Sequence, residues 1–279
     1  MSYETILYEK EAGFCLITLN RPKSLNALNI KMWTELENAV DEVDKDPEIK
    51  AFIFTGAPRP DGRPCFCAGL DLKEAAGYTV EGQIPTTPST ASSPSLVTTL
   101  WAERQPKLGM IRAFEKLAWS PKISIAAIDG VCTAGGIELA LSCDIILVSQ
   151  TAQISDMHVK NLGWIGGAAA TPNMAWRVGV AKAIELCCTG DVIDGKEAHR
   201  IGFANQVFPA HKLLDGAKEM GRKLGGMRLA ALTMTKATCR AVQDMDYRSS
   251  WHYTDAAFKA LQVEPDTAEW GPGRWVEKR

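Results

Sequence analysis

Two short β-forming runs separated by an amphipathic stretch set the frame for this chain. Residues 14–20 (Phe-Cys-Leu-Ile-Thr-Leu-Asn) and 51–55 (Ala-Phe-Ile-Phe-Thr) are rich in branched and aromatic side chains and close on turn residues, so both predict strands. Between them Met32, Leu36, Val40 and Val43 recur at helical spacing with Glu, Asp and Lys in the other positions, which predicts an amphipathic helix ended before Pro47. A strand, a helix and a second strand in that order imply a crossover, and crossovers join parallel strands. An α/β fold with a parallel sheet follows.

The alternation recurs downstream. Residues 123–129 predict a buried strand and Gly130 a turn. Thr133-Ala-Gly-Gly136 then opens a helix through Leu141, before a further apolar run at Ile145–Val148. Beyond about residue 194 helices dominate, roughly over 210–224, 228–246 and 250–262, with one short strand at Gln206–Phe208. Residues 77–106 stand apart, because Thr, Ser and Pro cluster through Pro85–Pro94. They predict an inserted loop that serves either as a lid or as a solvated surface excursion.

Composition excludes several classes. With 279 residues, 46% of them apolar and 23% charged, the chain can bury a core without metal or disulfide support. A net charge of −2 gives no reason to expect nucleic acid or an anionic membrane as partner. No run approaches the ~18 apolar residues of a membrane span. The start, Met1 to Tyr8, has neither a basic segment followed by an apolar run nor an Arg-rich character, so a cytoplasmic location is expected. The eight cysteines match no zinc spacing and the four histidines lie far from them, which predicts free, mostly buried thiols in a reducing compartment and no metal. Phosphate-loop, nucleophile-elbow and zinc-protease motifs are absent, and no Gly-x-Gly-x-x-Gly follows the first strand. Gly163, Gly166 and Gly167 read as a Gly-rich turn.

Two segments fit one chemistry. Cys65-Phe-Cys-Ala-Gly-Leu-Asp-Leu-Lys73 and Ile128-Asp-Gly-Val-Cys-Thr-Ala-Gly-Gly-Ile-Glu-Leu-Ala140 each put small residues where a strand gives way to a helix. Small residues let backbone N–H groups approach a ligand, and two converging amides make an oxyanion hole, each donor contributing ~3 kcal/mol to lowering a barrier. These segments resemble the crotonase (enoyl-CoA hydratase/isomerase) superfamily. Asn20-Arg-Pro-Lys-Ser-Leu-Asn-Ala-Leu-Asn29 is similar to its Asn-Arg-Pro-x-x-x-Asn-Ala-Leu segment, and Phe66–Lys73 to its Phe-x-Ala-Gly-x-Asp-Leu loop. Gly130, Gly135–Ala140 and Cys143-Asp144 are similar to its Gly-x-x-x-x-Gly-Gly-x-Glu-Leu-Ala helix start. Thr189-Gly190, Ala198, Gly202 and the terminal Val276-Glu-Lys-Arg279 also fall at the family's spacing.

The resemblance implies a spiral of ββα units over residues 1–200, carrying the 77–106 insertion, and a C-terminal helical trimerisation region over 201–279. It implies a homotrimer or homohexamer acting on acyl-CoA thioesters, with coenzyme A as part of the substrate and no further cofactor. By the same resemblance the N–H groups of Leu70 and Gly135 hold the thioester oxygen. Ala68, Leu70, Asp71, Leu72 and Lys73 contact coenzyme A, with Lys23 and Ala27 as further contacts.

Glu138 sits where the family carries its first catalytic glutamate. From the residues alone it reads first as a first-turn acid complementing the helix dipole, and the resemblance is what turns it into a catalytic candidate. The family's second glutamate is missing. Counting forward from Gln153 places His158 there, and counting back from Gly163 lands on Val159, so one residue is in surplus. Three alternatives stand: His158 is the second acid/base, Asp156 reaches in, or Glu138 works alone. Trp164 is expected in a wall. The expected activity is hydration of a double bond conjugated to a coenzyme A thioester, on a cyclic or bulky acyl group. A double-bond isomerase, a C–C hydrolase or lyase of the same superfamily, and a non-catalytic scaffold are the alternatives.

Overall fold

The computed structural model describes residues 3–74, 109–271 and 274. The 77–106 insertion and the terminal Val276–Arg279 motif lie outside the described residues. A hairpin opens the chain: β1 (Ile6–Glu11) pairs antiparallel with β2 (Phe14–Leu19). Helix α1 (Ile30–Lys45) follows, its Asn29 side chain accepting from the Met32 N–H at 3.0 Å as an N-cap. It crosses to β3 (Ala51–Gly56), which pairs parallel with β2. The chain then alternates between two sheets. β4 (Cys65–Cys67), β6 (Val131–Thr133) and β8 (Gln153–Ser155) form a small parallel sheet. β5 (Ile123–Ile128), β7 (Ile145–Ser149) and β9 (Gln206–Phe208) extend the large one, in the order β1-β2-β3-β5-β7-β9. As α1 follows β1 and β2, helices α2 (Gly109–Trp119) and α3 (Gly135–Ser142) follow the pairs β3–β4 and β5–β6, so each turn of the chain is a ββα unit and the units stack as a spiral.

The central strands of the large sheet are buried on both faces, which is why they are near-continuous apolar runs. Cys15, Ile17 and Leu19 of β2 face α1 and α2, where Trp33 meets Phe114 edge-on at 4.8 Å. Phe14 and Leu16 face the other way. After α4 (Ala170–Val178), α5 (Val180–Thr189) and α6 (Gly195–Arg200), helix α7 (Leu213–Gly225) covers that second face with Leu213, Ala217 and Leu224. Two further helices, α8 (Leu229–Ala241) and α9 (Tyr247–Gln262), and a short helix at Thr267–Trp270 follow.

The strands and helices read from the residue pattern are present, whereas β1, α2, α4 and α5 are not read from it. One expectation needs correction: Thr133 closes strand β6, and the helix begins at Gly135. Three-residue strands carry no readable periodicity, and the small sheet is set by main-chain pairing across distant segments.

Candidate active site

The site is assembled where the two segments singled out above meet. Arg21–Asn29 and Cys67–Asp71 run side by side: Leu28 N–H donates to Gly69 O at 2.7 Å and Asp71 N–H to Leu28 O at 2.9 Å. That pairing turns the amide of Leu70 away from Leu28, since main-chain groups alternate sides along an extended strand. Asn26 is fully buried and fixes the crossing, its Nδ2 donating to Ala57 O and Cys65 O at 2.9 Å each. Arg21 Nη1 donates to Ala27 O at 2.5 Å and Nη2 to Asp71 Oδ2 at 2.8 Å. Asp71 Oδ1 accepts from the Lys73 and Glu74 amides. Its carboxylate, held below the ordinary carboxylate range by these partners against the opposing effect of burial, is therefore engaged within the loop.

On the other side of Leu70 stands the start of α3. Gly69 adopts φ +103, and a Cβ there would sit 3.0 Å from Gly135 N and 3.0 Å from Ala134 Cβ. A Cβ on Gly136 would lie 2.4 Å from Cys67 O, so only glycine admits this approach. Ala134 turns the chain from β6 into the helix at φ 47 and ψ −116, a conformation L-residues rarely adopt. Its reward is direction: Gly135 N–H opens the helix toward the Gly69–Leu70 peptide. Neither the Leu70 nor the Gly135 amide has a carbonyl partner among the described residues.

One turn further along α3 is Glu138, 3% exposed. Its Oε1 accepts from the Gly167 amide at 2.6 Å and lies 3.2 Å from His158 Nε2. Oε2 has no partner among the described residues. The opposite ring nitrogen of His158, Nδ1, lies 2.6 Å from Asp156 Oδ1, which also accepts the His158 backbone amide at 3.1 Å. Burial opposes charge on the imidazole, but the hydrogen bonds to Asp156 and Glu138 outweigh it and lift its pKa to about 9. Asp156 is held below the usual carboxylate range by the same contacts, again against burial. The backbone from His158 to Leu162 makes one π-helical turn closed by Gly163 in the left-handed region, φ 67. A π turn takes up one residue more than an α turn, so it can house the surplus residue counted in the sequence.

The structure thus brings Ala27, Ala68, Leu70, Asp71 and Gly135 into one corner and pairs Glu138 with His158. Leu72 and Lys73 are exposed beside it, and Lys23 is exposed in the turn Pro22–Ser24. Trp164 is 54% exposed. Residue reasoning missed the Gly167 amide, passed over within a Gly-rich turn, and Arg21. It also left Asp156 as a rival acid when it is bonded to His158. A cavity of ≈ 780 Å³ lies elsewhere, lined by residues that include Asp144, Arg177, Lys236 and Arg240 and none of the groups above.

Comparison with known proteins decides the family. The sequence profile described as Enoyl-CoA hydratase/isomerase matches residues 9–279. The chain belongs to the enoyl-CoA hydratase/isomerase family. Among its relatives, a probable enoyl-CoA hydratase of Mycobacterium tuberculosis is 33% identical, over 100% of this chain and 97% of that protein. A short-chain-enoyl-CoA hydratase of Clostridium acetobutylicum is 30% identical, over 92% of this chain and 89% of that protein. The crystal structure of enoyl-CoA hydratase from Bacillus anthracis superposes with a TM-score of 0.83 at 27% identity, covering 99% of this chain and 97% of that one. The ββα spiral is therefore the crotonase fold, and the chain is an enzyme of the hydratase/isomerase family. Among the described residues no helix is long and apolar enough to cross a membrane.

Proposed function

We propose that the protein is an enoyl-CoA hydratase whose acid–base pair is Glu138 and His158. The observation that carries this reading is the approach of two amides, Leu70 and Gly135, that have no carbonyl partner among the described residues, within one helical turn of a buried carboxylate–imidazole pair. A thioester oxygen between those amides takes the enolate charge as it develops. The hydroxyl of water adds to the β-carbon while its second proton passes to Glu138. His158 Nε2 gives its proton to the α-carbon, collapsing the enolate to the saturated thioester. Glu138 then returns its proton to His158 across their 3.2 Å contact, restoring both groups. The elevated pKa of His158 supports its part as the acid, since it starts protonated at neutral pH.

The same reading assigns coenzyme A to the Ala27, Ala68, Leu70–Lys73 corner, with Lys23 as an outer phosphate contact and the coenzyme as the whole of the cofactor requirement. A cyclic or bulky acyl group, a cytoplasmic location and the division at residues 200/201 belong to it too. A homotrimer, or a hexamer of paired trimers, is supported by two exposed apolar stripes: Val180, Ile184 and Cys188 along α5, and Tyr247, Trp251 and Phe258 along α9. A double-bond isomerase is the second reading, because Glu138 is the one carboxylate of the pair and a single base suffices for that reaction. Mass analysis of products from linear, aromatic and alicyclic enoyl thioesters tests the choice. Gain of one water is expected, and conversion without mass change would replace the hydratase by the isomerase.

A further inference from the structure

Resting on that reading, we propose that Asp156 is a positioning residue: it accepts from His158 Nδ1–H and holds the ring doubly protonated, with its second proton, on Nε2, pointing at Glu138. The geometry is a buried line of groups. Asp156, 3% exposed, grips His158 twice, through the backbone amide at 3.1 Å and through Nδ1 at 2.6 Å, and the far nitrogen of the ring then meets Glu138 Oε1 at 3.2 Å. An imidazole held by a carboxylate at one nitrogen has its tautomer and ring plane fixed.

The surroundings keep Asp156 in place. Ser155 Oγ donates to Gly190 O at 2.8 Å, and Ile154 exchanges main-chain bonds with Ile193 at 3.0 and 2.9 Å, so the end of β8 is clamped by the segment after α5. A Cβ on Gly190 would lie 3.0 Å from Asp156 O. Gly166 leaves the opposite side open, since a Cβ there would sit 3.4 Å from Nδ1 and 3.6 Å from Asp156 Oδ2. Cys187 of α5 hydrogen-bonds Asp156, and its thiol is pushed up to about 12 by burial and by that carboxylate. The titratable groups around the ring are then Glu138 from α3, Asp156 from the end of β8, Cys187 behind Asp156 on α5, and Lys160 on the π turn, whose stem packs on Gly190. With the Cys187 thiol pushed up in this way, the two carboxylates are the anions that face His158.

This arrangement has a chemical consequence. A pair of glutamates presents two groups that can each act as acid or base. In the direction of hydration the Asp156–His158 couple presents the acid: Nδ1–H is held by Asp156, and the Nε2 proton is the one given up. Glu138 is then the base, and the two roles reverse only when the reaction itself runs backwards.

The test is a titration of ring-labelled histidine by NMR in the full-length protein, paired with pH–rate profiles. In the wild type, His158 is expected to titrate well above the ordinary histidine range. In Asp156→Asn its midpoint is expected to fall by more than one pH unit, the alkaline limb of the rate profile to move down with it, and kcat to drop roughly 10- to 1,000-fold with KM nearly constant. Asp156→Glu is expected to restore a raised midpoint. A wild-type His158 that is neutral at pH 7, or an Asp156→Asn midpoint equal to wild type, would overturn the proposal; the first readout needs no variant to fold. The His158→Gln variant separates this from the functional reading. Undiminished turnover there removes His158 from the chemistry while leaving the Asp156 titration to be judged by itself.

Discussion

Helix α3 has a buried charge cluster at each end, and the two differ in a way that distinguishes chemistry from architecture. Beyond its C-terminus Asp144 receives Ser124 N and Oγ at 2.9 Å each, Lys236 Nζ at 2.8 Å and Arg240 Nη2 at 2.8 Å. Arg177 Nη2 caps the carbonyls of Cys143 and Asp144 at 3.0 and 3.1 Å. Both carboxylate oxygens are occupied, by the sheet on one side and α8 on the other. At the N-terminal end Glu138 Oε2 and the Leu70 and Gly135 amides have no protein partners among the described residues. A saturated cluster ties elements together; a cluster with free valences arranged around one point is prepared for a ligand.

Substitutions can break this contrast, and the largest effect falls at the unsaturated end. Glu138→Gln is expected to lower kcat by about 100- to 10,000-fold with the fold intact, measured by steady-state hydration of a short enoyl thioester. Undiminished turnover would return the residue to a helix-dipole role. Leu70→Pro removes one amide that makes no main-chain bond, and a loss of about 100- to 1,000-fold in kcat is expected, against near-wild-type rates for Leu70→Ala. At the saturated end Asp144→Ala leaves Lys236 and Arg240 without their anion. We expect a loss of roughly 3–5 kcal/mol in denaturant unfolding and, for the folded fraction, turnover close to wild type.

The pH dependence of stability sharpens the comparison further. The folded pKa of His158 lies above its unfolded value, so its contribution is complete below about pH 6.5 and fades as pH rises through about 9. Asp156 is shifted the other way, and its contribution is present above the ordinary aspartate range and lost as pH falls through its lowered value. The stability difference between wild type and His158→Gln should therefore shrink by on the order of 2 kcal/mol between pH 6.5 and 9, read from urea titrations. A difference that stays flat across that interval would mean that the ring is neutral in the fold. Least affected is Lys23→Ala, where an exposed phosphate contact predicts a rise in KM of only about 2- to 5-fold.

The unsaturated site was only partly legible in the residues. Gly69, Gly135 and Gly136 were readable because close backbone approach leaves no substitute for glycine, and Glu138 because it follows them at fixed helical spacing. Position 158 was reachable by counting from Gln153. The bond from Asp156 to the ring was not, because it depends on how a five-residue turn is wound, and neither was the Gly167 amide, because it comes from a loop 29 residues away. The fold shows the same division. Strands β2, β3, β5 and β7 announce themselves through apolar runs, whereas β4, β6 and β8 exist because distant main chains pair.

The wide turn from His158 to Leu162 lies between a clamped strand end and a left-handed glycine. Gain or loss of a single codon there would rotate the side chains that follow by about 100° while leaving both sheets in register. On the proposed reading of His158, the scaffold permits the second proton donor to be exchanged by an insertion or deletion, a far shorter evolutionary path than rebuilding the pocket one substitution at a time.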